Sequence, residues 1–397
     1  MMAVSTVEDR EGFSLVSFIN DARVRGVLYQ ILAVILVAGA GYYLFSNASG
    51  NLARQNIATG FDYLRLQAGF TISEKLIAYE PTDTYARALL VGVLNTIFVS
   101  FMACILCTFL GVIVGILRLS PNPLLARLML LYVEAMRNVP LLLHLFMWYA
   151  VIVFTLPPVK EAYNLLPGVF LSNGGFYVPM LDWSLAHTLV MLAFAIGVVA
   201  ATFFAGAARR RRERTGEDRL LWPWLALLIF APPLVIFAIF QPDMTWSIPE
   251  LGKFRFSGGV RVTAEFSALL IGLTLTTSAS VAEIVRSGIQ AVGKGQWEAA
   301  RALGLPRTKI MRMVILPQAL RVIVPPLTNT YLSVTKNSSL AIAIGYPDLV
   351  MVSNATMNQT GRPLEAIAIF MGIYLLLSLG TSMFMNWYNG RVALKGR

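Results

Sequence analysis

Charge is what this chain of 397 residues has least of: only 13% of its residues are Asp, Glu, Lys or Arg, about half the share in a soluble domain. That scarcity excludes a solvated globular surface. Cysteine is nearly absent too. The two present, Cys104 and Cys107, lie three apart in an apolar stretch with no acidic or imidazole neighbour, so they read as small packing residues rather than a redox pair. The two histidines, His144 and His187, have no metal-ligand spacing between them. No metal site, catalytic site or cofactor follows. No Gly-x-x-x-x-Gly-Lys-[Ser/Thr] phosphate loop occurs either, which excludes nucleotide hydrolysis by a Walker-type site within the chain.

What is present is long apolar sequence. The hydrophobic fraction is 57% and the mean hydropathy +0.67, so the expected fold class is an all-α polytopic membrane protein. Stretches long enough to cross about 30 Å of hydrocarbon lie near 27–46, 89–117, 139–156, 185–206, 220–240, 264–285, 319–345 and 364–385. The seventh is the least apolar. About eight transmembrane helices are therefore expected. With the N-terminus inside, about 22 Lys and Arg fall on the cytoplasmic side and about 9 outside, with Lys336 left in the membrane. Both termini then lie in the cytoplasm. The net charge of +11 is mostly this orientation signal, and the Arg-rich run at 209–214 reads as a stop-transfer anchor beside anionic lipid rather than a nucleic-acid contact. The first stretch exceeds a signal-peptide core and is expected to be an uncleaved anchor.

One polar segment stands out between the sixth and seventh stretches. Residues 296–317 read QWEAARALGLPRTKIMRMVILP. Trp297, Ala300, Leu303 and Gly304 fall on one side at helical spacing while Glu298, Arg301 and Ala302 face elsewhere, as in a short amphipathic helix. Gly304 suits its C-terminal cap and Pro306 stops its continuation. An interfacial helix lying on the bilayer fits the same residues.

Glu298, Ala299 and Ala300, then Gly304, then Val314, Leu316 and Pro317 resemble the EAA loop of ABC importer permeases, with Val314 in place of the usual isoleucine. Three further segments resemble the polar amino acid (histidine/glutamate/glutamine/arginine) type of that family. They are YVEAMRNVPLLLHLFMWY at 132–149, VAEIVRSGIQAVGKGQWEAA at 281–300 and TKNSSLAIAIGYPDL at 335–349, with Gly92, Asn95 and Thr96 opening the first core helix. The resemblance implies a transport subunit, not an enzyme, for polar L-amino acids in a bacterial cell inner membrane. Its implied partners are a second permease, a cytoplasmic ABC ATPase dimer and a periplasmic amino acid-binding protein; no nucleic acid is implied. It also implies that Gln296, Glu298, Ala299, Ala300, Gly304 and Pro317 couple to the ATPase.

The family core needs five helices. Relative to it, the chain is expected to divide into an N-terminal helix and periplasmic segment (1–84), a first part of the core (85–156), an inserted segment with two helices (157–263) and a second part of the core carrying the EAA loop (264–397). One helix in front and a pair inserted leave the EAA loop cytoplasmic, because a pair returns the chain to its own side. This layout resembles one permease of a general L-amino acid, or glutamate/glutamine/aspartate/asparagine, uptake system.

Polar residues inside the seventh stretch mark a second site. Lys336, Asn337, Ser338 and Ser339 follow Pro325 and Pro326, and an ionisable group at membrane depth needs a partner or a cavity. Two readings stay open: the break lines the substrate path, or Lys336 neutralises Glu134 or Glu283 while the hydroxyls replace backbone bonds lost at the prolines. Glu134 with Arg137, and Glu283 with Arg286, are each spaced to bridge at i,i+3, either as interfacial pairs or as part of a gate. A secondary transporter would need discontinuous helices in both halves, and an intramembrane protease a matched nucleophile and base; neither pattern is found.

Overall fold

The computed structural model describes residues 22–54, 60–216, 221–252 and 255–392. The terminal residues assigned above to the cytoplasm, 1–21 and 393–397, lie outside the described residues. Helix α1 spans Ala22–Arg54, α2 Tyr85–Leu117, α3 Pro123–Asn138 and α4 Leu141–Thr155. Then come α5 (Leu185–Thr215), α6 (Trp222–Phe240), α7 (Ala264–Gln290), α8 (Lys294–Ala302), α9 (Leu316–Asn337), α10 (Leu349–Thr360) and α11 (Pro363–Val392). Among the described residues seven helical spans are long and apolar enough to cross a membrane, and α3 with α4 makes an eighth that is bent by 104°. The chain is thus an all-α membrane protein with a five-helix core, one helix before it and two inserted.

Local chemistry sets the boundaries. Thr84 caps α2 by accepting from Arg87 N at 3.3 Å, and Thr263 caps α7 by accepting from Phe266 N at 3.2 Å. Asn122 caps α3, with Pro123 in the first turn where its missing N–H costs nothing. The third apolar stretch does not begin a straight span as expected at 139. Pro140 offers no N–H and holds Val139 extended (φ −100°, ψ 130°), so the chain turns sharply there.

The core is organised around α7, which packs against α2, α3, α4 and α9. These contacts are close because glycine permits them. A β-carbon on Gly111 would lie 2.5 Å from Val281 Cβ, one on Gly115 2.7 Å from the Ala282 carbonyl, and one on Gly288 2.3 Å from Ile323 Cγ1. Small residues of this kind let membrane helices approach where apolar burial gives no advantage over lipid. Val99, Leu145, Leu269, Leu273 and Val334 fill one interior cluster, and Cys107, Val281, Ile289, Ile315 and Ile323 another.

The inserted segment holds more than its two helices. β1 (Tyr163–Leu166), β2 (Val169–Ser172), β3 (Gly175–Val178) and β8 (Val260–Thr263) form an antiparallel sheet in that order. Two short pairs, β4 (Met180–Leu181) with β5 (Trp246–Ser247) and β6 (Glu250–Leu251) with β7 (Phe256–Ser257), complete the layer. This layer adjoins the start of α7, because β8 runs directly into it. The segment 60–84 lies at the same end: Glu74 Oε1 accepts from Thr263 N at 3.0 Å. Since α7 is 27 residues long, the polar helix α8 sits about 40 Å away at the other end.

Candidate functional site

Two regions carry polar chemistry: the α8 segment, and the end of α9. Helix α8 is closed by Gly304 at φ +72°, a conformation open to glycine without a side-chain clash. Across that residue Leu305 N donates to the Ala300 carbonyl at 3.3 Å, a six-residue closure of the Schellman type. Pro306 then starts a turn at Arg307–Lys309, followed by a π-helical stretch over Ile310–Ile315 that leads into α9. Pro317 occupies the first turn of α9, where its lack of an N–H is tolerated.

Of the residues expected on one apolar side of α8, Ala300 is buried and Trp297 half-buried, both within the cluster that includes Ile310 and Ile315. Leu303 is not: it is 78% exposed, and Leu305 takes the inner place. The reason is the cap. The backbone reverses at Gly304, so the inward position passes to the residue beyond it. Gln296, Glu298, Ala299 and Gly304 face outward with Leu303. Gln318 ties the helix to α9, donating to Gln296 Oε1 at 3.2 Å and to the Val314 carbonyl at 2.8 Å.

Just inside this end, Glu283 accepts from both Arg286 and Arg118, and Arg286 also reaches Gln290. Arg118, which no sequence pattern had marked, joins the end of α2 to α7. Glu134 does not bridge to Arg137. Its carboxylate accepts from Asn138 Nδ2 at 3.0 Å instead, the amide one turn on.

At the end of α9 the α-helix tightens into a 3₁₀ stretch, Ser338–Ile344, closed by Gly345 at φ +81°. Ser338 is buried and Ser339 half-buried, while Lys336 and Asn337 are exposed. The Ser338 hydroxyl donates to the Thr335 carbonyl at 2.8 Å, and that of Ser339 to the Lys336 carbonyl at 2.7 Å. The prolines free the carbonyls four residues before them, at Arg321 and Val322, a long way from these serines. The hydroxyls therefore satisfy the α-to-3₁₀ transition and do not replace bonds lost at Pro325 and Pro326. Among the described residues Lys336 forms no ion pair, since Glu134 and Glu283 are engaged as above. It lines a cavity of about 710 Å³ with Ser339, Val350, Phe370, Tyr374 and Ser378.

The turn after this break is held by the opening residues of α2. A β-carbon on Gly92 would sit 3.0 Å from Leu349 Cα. Thr96 Oγ1 accepts from Leu349 N at 3.0 Å, and Asn95 Nδ2 donates to the carbonyls of Pro347 and Glu74, each at 2.9 Å. Asp348 is fully buried within this turn. Its Oδ1 caps α10 by accepting from Met351 N at 2.8 Å, and its Oδ2 accepts from Tyr374 OH at 3.3 Å. Burial pushes its carboxyl up to about 7 and also raises that of Glu74. Neither had been singled out, although an Asp just before an apolar helix is an N-cap signal. His187 is also a capping residue: its Nδ1 lies 3.1 Å from the Ser184 N–H that donates to it.

Comparison with known proteins places this architecture. Residues 207–393 match the family described as Binding-protein-dependent transport system inner membrane component. General L-amino acid transport system permease protein AapQ of Rhizobium johnstonii is 43% identical over 97% of this chain and 96% of its own length. The chain belongs to this family. The putative amino-acid ABC transporter permease protein YhdX of Escherichia coli is 44% identical over 96% of this chain and 97% of that protein. The glutamate/glutamine/aspartate/asparagine transport system permease protein BztB of Rhodobacter capsulatus is 40% identical, covering 100% of both chains. Membership makes the chain a membrane-embedded transport component without catalytic activity of its own, in agreement with the expectation from its sequence. The family match begins inside α5, so it takes in both the α8 segment and the polar break.

Proposed function

We propose that the chain is one permease of a binding-protein-dependent ABC importer for polar L-amino acids, working in a bacterial inner membrane with both termini in the cytoplasm. A second permease completes the translocation path, an ATPase dimer drives it through α8, and a periplasmic binding protein delivers the substrate. The near-full-length similarity to three amino acid permeases supports the substrate class. The single observation that carries the coupling role is the outward face of α8, where Glu298, Ala299 and an exposed Leu303 stand free beside the cap at Gly304. Together they offer a carboxylate, a small residue that allows close approach and an apolar side chain, a mixed surface of the kind a docking partner uses. The division at 84, 156 and 263 belongs to the same reading, with the inserted segment as an accessory to a five-helix core.

Glu298→Lys reverses a charge on that face, and Gly304→Val forces a β-branched residue into a left-handed conformation. Both variants are expected to stay in the membrane, to lose ATPase co-purification and to abolish uptake; normal values for both would refute the docking role. In this arrangement Lys336, Asn337, Ser338 and Ser339 border the path, Lys336 and Ser339 through the cavity they line. Labelling a cysteine placed at Thr215 from the periplasmic side would overturn the orientation.

A further inference from the structure

Resting on the path assignment just made, we infer that the cavity beside Lys336 takes the carboxylate end of the transported amino acid. The cavity holds one cation and no acid: Lys336 is joined there by the hydroxyls of Ser339, Tyr374 and Ser378, and the remaining lining is apolar. Its nearest carboxylate in sequence, Asp348, is fully buried and already occupied by Met351 N and the Tyr374 hydroxyl. The Ser339 and Tyr374 hydroxyls already donate to the Lys336 carbonyl and to Asp348, so the cavity offers an anion the Lys336 ammonium and the Ser378 hydroxyl, and offers nothing acidic to a cation.

Depth makes the pairing matter. Thr335, the residue before Lys336, lines a second cavity with Ser100 and Cys104, which lie at the middle of α2. An ammonium at that depth with no protein counter-charge among the described residues is costly unless an anion or water reaches it. A carboxylate is the group that every amino acid substrate brings, and its charge-assisted bonds to an ammonium are short and strong. Substrates whose side chains differ can then share this contact, which suits a carrier of several polar amino acids.

The test uses the assembled complex of both permeases and the ATPase dimer in nanodiscs, with binding of radiolabelled L-glutamine measured beside uptake in proteoliposomes. Lys336→Gln is expected to weaken binding roughly tenfold or more, the loss of one charge-assisted contact, and Lys336→Arg to retain it. Ser378→Asp leaves Lys336 in place but supplies a competing carboxylate, and is expected to weaken binding similarly. It stands in should Lys336→Gln fail to assemble. Gly372→Leu probes the underlying reading separately: a β-carbon there meets nothing within 4 Å, so the side chain enters open cavity space without a backbone clash and should stop uptake. Unchanged uptake in Gly372→Leu would remove the path assignment and the inference with it. Blocked uptake in Gly372→Leu together with wild-type binding in Lys336→Gln or Ser378→Asp would overturn the carboxylate assignment alone.

Discussion

Helix α7 and the inserted helix α5 make an instructive pair, because the less apolar of the two is the more buried. Half of the apolar stretch of α7 is buried, whereas only 11% of the more apolar stretch of α5 is. In water the order would be the reverse. In a bilayer, apolar surface gains nothing by leaving lipid for protein, so membership of the bundle is decided by small residues and internal hydrogen bonds. Helix α7 presents Gly272 and Gly288 to Leu145 and Ile323, and takes Val281 and Ala282 against two glycines of α2. Its Ser278 meets Tyr132. Helix α5 packs chiefly on α6, its partner in the hairpin.

Four experiments would break or sharpen that contrast. The largest effect is expected for Gly111→Leu, whose β-carbon would fall 2.5 Å from Val281 Cβ and 2.8 Å from the Ser278 carbonyl; folded permease should be lost in a detergent-stability assay. Gly206→Leu in α5, where nothing lies within 4 Å, is the matched control and should behave as wild type. Next, Glu283→Gln strips the shared partner from Arg118 and Arg286. Two guanidiniums are left facing each other, and a drop in melting temperature larger than that of Glu134→Gln is expected. Equal drops would remove the clamp from the account.

A smaller, pH-dependent effect is expected for Asp348→Asn. Burial raises the folded carboxyl from 3.8 to about 7, so its contribution to stability is full below 3.8 and is lost as pH rises through about 7. Wild-type melting temperature should therefore fall across that window, and Asn, which keeps the cap acceptor without the charge, should flatten the fall. A wild-type profile in Asp348→Asn would show that other groups set it. The smallest effect concerns the hairpin itself. Asp182 N donates to the Thr245 carbonyl at 3.0 Å, so residues 183–244 can be excised and the ends joined by a short linker. The shortened chain is expected to fold and keep its orientation, as judged by cysteine labelling at the α8 segment. Loss of folded protein would mean that the core depends on the hairpin after all.

Much of the fold was legible because long apolar runs leave few alternatives. All eight expected stretches overlap helices, and the cap at Gly304 follows from glycine chemistry. The sheet that strands β1 to β3, between α4 and α5, form with β8 was missed because its four-residue strands are too short for any apolar run to reveal, although Pro167-Gly168 and Asn173-Gly174 signal turns at its two hairpins. The bend at Val139-Pro140 was passed over for the opposite reason: the apolar run continues through it. Pairings across the structure were the least legible. Arg118 reaches Glu283 from 165 residues away, and Lys336 has neither of the carboxylates suggested for it. Spacing along one helix identifies candidates within a turn and is silent on what another helix brings.

The π-helical stretch Ile310–Ile315 bears on how this chain tolerates change in length. A π-turn holds more residues per unit of rise than an α-turn. A single-residue deletion there can be absorbed by relaxation to ordinary helix, leaving the azimuth of α9, and with it the direction of Lys336, where it was. The same deletion a few turns later would swing every following side chain by about 100°. Single-residue deletions are thus cushioned at this joint, between α8 and the helix that carries Lys336 to the cavity, and shortening of the α8-to-α9 connection should concentrate there.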